Sequence, residues 1–500
     1  MSLKSTISVP YAKWQIAKAQ KAIQNPIGAQ ERWFKTLISK AKNTHFGKDH
    51  GFDEDWGFQE YQELVPVRDY EDLKKYTDTM VKGQEDVLWP GKPKYICKTS
   101  GTTSGTKYIP ISKESMPFHI AAAKNALLSY IAEKGKANFV AGKMIFLQGS
   151  PELNMLDSGL LYGRLSGIVA HHVPGYLQRN RLPSFETNCI EDWEEKVAAI
   201  VKETAHENMT LIGGIPSWVQ MYYEQLLAYT GKSTVAEVFP NLSLFVYGGV
   251  NFEPYRARFQ QLVGKEIDSI ETYPASEGFI AYQDQIGSQD LLLNIDGGIF
   301  FEFIKAEEFH QENPRRYTLG EVKKGVNYAL IISTNAGLWS YSIGDTVRFT
   351  SLLPYRIRVS GRIKHFTSAF GEHVIGEEVE TAMSIALEKH GGVISEFHLA
   401  PKVQVKEELP YHEWLVEWEQ EPNDLSAFAM TIDEEMCKQN VYYKDLIDGN
   451  ILMQAQIHSL PSGTFRRFME TRGKLGGQNK VPRLSNDRNM ADEIIAAKRR

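Results

Sequence analysis

Three cysteines in 500 residues, Cys97, Cys189 and Cys437, are too few and too scattered for a disulfide framework or a structural zinc site. Their sparsity fits a reducing compartment and suggests the cytoplasm. No run of about 20 apolar residues occurs, so a membrane span is not expected. Residues 1–14 are polar and lack the apolar core of a signal peptide. Positive charge is not in excess either: 56 Lys and Arg against 62 Asp and Glu leave a net charge of −6, which offers no general field for nucleic acid. The basic tail at 498–500 reads as solvated. Internal repeats and low-complexity segments are missing. What is there is ordinary globular material, 42% hydrophobic and 24% charged, in a chain long enough for two or more domains. The oligomeric state is left open, a monomer sufficing.

The first ninety or so residues read as helices with short breaks. Asp69 is a candidate N-cap, after which Leu73, Tyr76 and Met80 share one face. From residue 95 to about 285, short apolar segments (143–147, 210–212, 243–247) run into glycine-containing turns and alternate with amphipathic stretches. That alternation predicts an α/β architecture with sites at strand ends. Residues 291–349 turn β-rich, with strands expected at 299–304, 328–332 and 345–349 and one more at 355–359. A compact α+β tail should follow: a helix carrying Val379, Ala382, Met383, Ala386 and Leu387, then strands near 394–405 and 414–418, the latter with alternating apolar side chains, a helix at 425–439, a strand at 451–457 and a helix after Pro461. The expected fold is therefore α/β. A large domain, 1–362, holds sheets flanked by helices plus a β-rich subdomain, and a small α+β domain occupies 363–500.

The most informative stretch is Lys98-Thr-Ser-Gly-Thr-Thr-Ser-Gly-Thr-Lys107. Gly101 and Gly105 allow close approach of backbone to an anion. Hydroxyls at Ser100, Thr102, Thr103 and Ser104, with the loop amides, can donate to phosphate oxygens, and Lys107 adds a cation. A Walker-type loop is excluded by spacing. Three residues separate the glycines rather than four, and Thr106 intervenes before the lysine.

This run resembles the phosphate loop of the adenylate-forming superfamily, and three further segments follow in matching order. Leu244-Phe-Val-Tyr-Gly-Gly-Val250 is similar to its adenine-facing strand and turn. Glu271-Thr-Tyr-Pro-Ala-Ser-Glu277 resembles its aromatic-to-glutamate motif, although Pro274 replaces the usual glycine. Tyr341-Ser-Ile-Gly-Asp345 resembles its ribose motif, with Ser342 where a basic residue is usual. Gly361-Arg362 and the turn running to Glu380 resemble the hinge entering the small domain, with the pivot at Ile363–Lys364.

The resemblance implies that ATP is bound by Ser100–Gly105, Tyr273, Ser276, Asp345 and Arg362, with Tyr273 stacking on adenine and Asp345 accepting from ribose. It implies Mg2+ at Glu277, and charge neutralisation by Lys107 and by Lys480 in a glycine-rich loop. The segments 65–73, 83–90, 213–218 and 478–483 are similar to the Gretchen Hagen 3 family of acyl-acid amido synthetases. That implies adenylation of a small carboxylic acid with release of pyrophosphate, then transfer of the acyl group to an amino acid. Leu161, Tyr162, Val169, Ile215 and Trp218 are candidates for the acyl pocket. Adjacent His171 and His172 should point apart and serve structure. Two rivals stand beside this reading: an acyl-CoA ligase of the same superfamily, and a silent nucleotide-binding protein. Retention of Lys107, Glu277, Asp345, Arg362 and Lys480 together weighs against the second.

Overall fold

The computed structural model describes residues 3–498 apart from 101–105, 174, 250–251, 364–365, 368, 371, 373, 404–408, 450 and 474–479. Side-chain caps set the N-terminal helices. Asn25 accepts from Gly28 N at the head of Pro26–Ala41, and Thr44 from Gly47 N at the head of His45–His50. Asp69 accepts from the amides of Glu71 and Asp72 at the head of Tyr70–Val81, as the sequence predicts. Each cap satisfies an amide that the first helical turn leaves without an acceptor. Tyr70–Val81 then buries Leu73, Tyr76, Thr77 and Met80 as one stripe. Among the described residues no helix is long and apolar enough to cross a membrane.

The chain forms two compact units. The first comprises Met1–Ile215, Val238–Gly249 and Ile267–Arg358; the second comprises Pro216–Glu237, Val250–Glu266 and Val359–Arg500. The helices Pro216–Thr230 and Glu253–Val263, which precede residue 362, thus group by contact with the C-terminal residues.

Eleven strands make the main sheet, in the order Ile299–Lys305, Asn327–Thr334, Tyr341–Leu352, Tyr355–Arg362, Leu291–Leu293, Gly278–Tyr282, Asp268–Ala275, Leu244–Gly248, Met209–Gly213, Lys143–Phe146 and Arg181–Leu182. The last five pair in parallel, and the strands from Gly278 onward pair antiparallel where their registers are described. Parallel neighbours need long crossovers, which explains the strand-and-amphipathic alternation before residue 280. Antiparallel neighbours need only turns, which explains the closely spaced strands after it. A four-stranded sheet of Thr106–Ile111, Tyr95–Ser100, Leu161–Gly163 and Asn154–Met155 completes the first unit.

One buried ion pair ties an N-terminal segment to this sheet. Glu302 is fully buried and meets Arg316 at 2.6 Å. Arg316 also donates to the carbonyls of Val65 (2.7 Å) and Gln62 (3.1 Å) and to Ser340 Oγ (2.9 Å). Ser340, at a φ of +41°, donates in turn to Glu302 at 2.9 Å, so the pair also holds a left-handed non-glycine residue. Gln62 and Val65 lie 254 and 251 positions from Arg316, and periodicity gives no sign of the link.

In the second unit, Val393–Lys402 and Tyr411–Gln420 pair antiparallel, and Met453–Leu460 lies parallel to the latter. Helices Gly376–His390 and Leu425–Gln439 supply Val379, Met383, Phe428 and Ile432 to a core with Phe397, Trp414 and Val416. A second core of Leu415, Leu460, Phe465, Phe468 and Ile494 covers the other face. The 414–418 segment is therefore buried on consecutive residues, not on alternate ones, because the sheet is covered on both faces. Helices Val441–Asp448 and Asn489–Ala497 add to the expected order. Glu372, which follows the hinge segment, is buried against His412 at 2.9 Å. Burial pushes its carboxyl upward, but the hydrogen bond and charge of His412 outweigh that and hold it below its ordinary value.

Glu302→Ala should strand a buried guanidinium and destabilise the first unit by about 3–5 kcal/mol, the usual cost of breaking a buried pair. A lowered midpoint for its unfolding transition checks this; an unchanged midpoint contradicts it.

Candidate active site

The loop 101–105 lies outside the described residues, but the hairpin that carries it is defined. Tyr95–Ser100 and Thr106–Ile111 pair antiparallel, with Ser100 opposite Thr106 and Thr99 opposite Lys107. Lys107 Nζ sits 5.7 Å from the centre of the Tyr70 ring, and the Tyr70 hydroxyl accepts from Tyr108 N at 2.9 Å. Lys98 Nζ lies 5.8 Å from the Tyr162 ring, whose residue pairs with Ile96. Two cations thus rest on aromatic faces beside the hairpin. The signal for Tyr70 was present in the 65–73 segment, but nothing in sequence assigned it to Lys107.

Parallel strands reach the site with their C-terminal ends together. Gly248 lies against Thr272 so closely that a Cβ would fall 2.3 Å from the Thr272 carbonyl oxygen, which makes glycine obligatory there. On the neighbouring strand Tyr273 is buried and its hydroxyl donates to Asp345 Oδ2 at 2.6 Å. Asp345 owes its position to a bulge. Ala329 pairs with Thr346 and Ile331 with Ser342, so the residues 343–345 bulge out from the ladder, and Gly344 takes a φ of +82°. The bulge re-aims the carboxylate away from regular strand geometry. Ser342, at the position where a basic residue was expected, takes its place in the ladder, and its amide donates to the carbonyl of Arg68 at 2.8 Å. Pro274 is accommodated by a register shift opposite it, between Phe279 and Ala281.

Ser276 and Glu277 stand beside the hairpin strand. Cys97 Sγ donates to Ser276 Oγ at 3.1 Å. Burial pushes the Cys97 thiol up to about 12, Glu277 adds to the rise, and the Ser276 bond opposes it. Glu277 itself is half-buried. The structure thus brings Tyr273 to Asp345, and Ser276 with Glu277 to the strand that leads into residues 101–105. Cys97 at that junction was missed, its small apolar neighbourhood giving no motif.

The remaining candidates fall as follows. Leu161, Tyr162 and Val169 are half-buried and pack on the same core cluster as Ile96, Cys97 and Ile109. Ile215 ends the first unit's opening segment, and Trp218 is buried in the second unit. Arg362 closes the strand Tyr355–Arg362 and is exposed, as is Lys480. The hinge residue Lys364 and the glycines 476–477 before Lys480 lie outside the described residues. His171 Nε2 contacts the Pro151 carbonyl at 2.8 Å, whereas His172 Nε2 contacts Tyr95 OH at 3.1 Å. They serve different neighbours, as adjacent residues pointing apart should.

Residues 15–184 match the model of the GH3 family N-terminal domain, 292–362 that of the GH3 family central domain, and 377–489 that of the GH3 family C-terminal domain. The chain is 21% identical over 387 residues to a jasmonoyl–L-amino acid synthetase, JAR4, of Nicotiana attenuata, covering 64% of this chain and 66% of the relative. It is 25% identical over 199 residues to an indole-3-acetic acid-amido synthetase, GH3.3, of Arabidopsis thaliana, covering 37% and 33%. These alignments span less than two thirds of the curated relatives' length. Among solved structures, a GH3.15 acyl acid amido synthetase superposes with a TM-score of 0.78 at 15% identity, covering 97% of this chain and 96% of that one. A 2-hydroxyisobutyryl-CoA ligase superposes with a TM-score of 0.60 at 12% identity, covering 96% and 93%. These two likenesses are of fold.

The raised Cys97 pKa has a sign for stability. The unfolded thiol loses its proton near pH 9 and the folded one near 12, so this group makes the fold less stable as pH rises through that window. In the native protein at about pH 8, iodoacetamide should leave Cys97 unmodified while alkylating it after unfolding. Native alkylation of Cys97 would contradict its burial.

Proposed function

The chain belongs to the GH3 family, and from that premise we propose that it is an ATP-dependent acyl-acid amido synthetase. What supports the proposal is that Cys97, in the hairpin that carries residues 101–105, meets Ser276 beside Glu277, while Tyr273 on the strand just before them meets Asp345, in an adenylate-forming fold. Its substrates would be ATP, a small carboxylic acid and an amino acid, and we place the reaction in the cytoplasm.

A carboxylate resists nucleophiles because its charge is delocalised over two oxygens. In the first step a carboxylate oxygen bonds to the α-phosphorus of ATP, the bond from that phosphorus to the bridging oxygen breaks, and pyrophosphate leaves with the electron pair. The loop residues Ser100–Gly105 would hold the phosphates through amides and hydroxyls, fixing an in-line approach. Lys107 and Lys480 would oppose the charge that gathers on the phosphate oxygens. Tyr273 would present its ring to adenine. Its hydroxyl donates to Asp345, and the Asp345 carboxylate would accept from ribose. Arg362 would reach the nucleotide from the strand end.

Magnesium ions are held mainly by phosphate oxygens with one or two carboxylates, so the half-buried Glu277 beside the Cys97 strand fits such an ion. When bound, Mg2+ supplies charge neutralisation on the triphosphate. In the second step an uncharged amine bonds to the adenylate carbonyl, the carbonyl–oxygen bond to AMP breaks, and the amine gives up a proton. Residues 363–500 would act as a mobile domain pivoting at Ile363, so that Lys480 serves the first step only. Leu161, Tyr162, Val169, Ile215 and Trp218 would contribute to holding the acid.

Pyrophosphate release with Mg-ATP and a panel of aryl, indolyl and aliphatic acids, with hydroxylamine as trap, tests the proposal. Acid-dependent release with hydroxamate is expected, and amino acids should then replace hydroxylamine where CoA does not. Lys480→Ala should slow release by about 10²–10³-fold, the usual cost of one charge-stabilising group. Clear ATP binding with no release for any acid would contradict the proposal, and a CoA thioester would assign the acceptor to a thiol.

A further inference from the structure

The segment just after Lys480 is clamped far more firmly than a loop stem requires. Val481 and Leu484 are buried in separate cores of the second unit. The amide of Leu399 donates to the Arg483 carbonyl at 2.8 Å, and the amide of Ser485 donates to the Leu399 carbonyl at 3.0 Å. Fully buried His398 meets the Pro482 carbonyl through Nδ1 at 2.7 Å. Between these bonds Arg483 turns its guanidinium inward. Its Nε donates to Glu380 at 3.0 Å, its Nη1 donates to Glu396 and, at 3.4 Å, to the Phe397 carbonyl, and its Nη2 donates to the Tyr255 hydroxyl. The guanidinium also lies 4.6 Å from the Phe397 ring centre and 5.5 Å from that of Tyr255. Only 9% of the side chain is exposed. Surrounding carboxylates and the tyrosine outweigh the cost of burial and hold it charged.

We propose that Arg483 is a positioning residue for Lys480 in the acid-activating step. Resting on the role given above to Lys480, the inference adds how that lysine is aimed. Three residues of extended chain span about 10 Å, so fixing Arg483 confines the lysine backbone to a short arc. Arginine suits the task because its planar fork serves Glu380, Glu396 and Tyr255 from different directions, which a lysine ammonium cannot do in one geometry. A purely structural arginine would predict loss of stability with both half-reactions falling together. A positioning arginine predicts loss confined to the step that uses Lys480.

The test is exchange of labelled pyrophosphate into ATP, with benzoate, indole-3-acetate or hexanoate as probe, whichever the wild type turns over fastest. Arg483→Lys and Tyr255→Phe are compared with Lys480→Ala and with the Arg483→Lys/Lys480→Ala double variant, each after a thermal-unfolding check. Arg483→Lys should lower the exchange kcat by at least about tenfold with the KM for ATP changed less than about threefold, and Tyr255→Phe should lower it less. In the Lys480→Ala background Arg483→Lys should add no further loss, since two residues acting as one unit are non-additive. Transfer from preformed acyl-adenylate to an amino acid should stay within about twofold of wild type. Wild-type exchange in folded Arg483→Lys and Tyr255→Phe, a multiplicative loss in the double variant, or an equal loss in transfer would overturn the inference. Retained exchange in Lys480→Ala would overturn it too, by removing what Arg483 is said to aim. A wild type without exchange for any probe would instead sink the amido synthetase reading.

Discussion

The hydrogen bond between Tyr273 and Asp345 constrains the whole first unit. In the main sheet their strands are four positions apart, a separation of about 19 Å if the sheet were flat. A 2.6 Å contact across that interval requires the sheet to curl between these two strands. The interior of the curl is one continuous core that includes Tyr273, Ile280, Leu291, Leu293, Ile343, Val347, Phe349, Tyr355 and Ile357. The bulge at residues 343–345 and the register shift between Phe279 and Ala281 let strands bend on either side of the seam. Departures from ideal pairing therefore sit where the site needs them.

Much of this was legible because the informative features are local. A glycine and hydroxyl loop between two strands, glycine turns at strand ends and a tyrosine-to-glutamate run can be read in a single window. Strands at 299–304, 328–332 and 355–359 were marked by short apolar runs between charged turns, and they form. What could not be read is what depends on distant partners. Glu302 with Arg316, Glu372 with His412, and Arg483 with Glu380 and Glu396 join residues 14, 40, 103 and 87 positions apart. Sequence spacing carries no sign of such pairs, because burial is decided only when the layers close. The consecutive burial of Trp414, Leu415 and Val416 was hidden for a related reason, since two helical layers cover a sheet that alone would show one wet face. Helix Val441–Asp448 escaped because it is short and follows another helix directly.

The proposed chemistry divides labour along the same lines. Groups that would recognise a fixed shape, Tyr273, Asp345 and the loop stem, stand on strands whose geometry is set by closure of the sheet. Lys480, which would meet charge as it develops, is exposed and lies three residues from the buried Arg483. Rigid recognition and directed charge are thus built from different materials, one from pairing and bulges, the other from buried ion pairs.

The central claim is that this chain makes an acyl-adenylate, and oxygen transfer tests it most directly. With a turned-over acid labelled by 18O in its carboxylate, the account predicts that one labelled oxygen appears in AMP and none in pyrophosphate. Label in pyrophosphate or inorganic phosphate, or AMP formed without label, would contradict it.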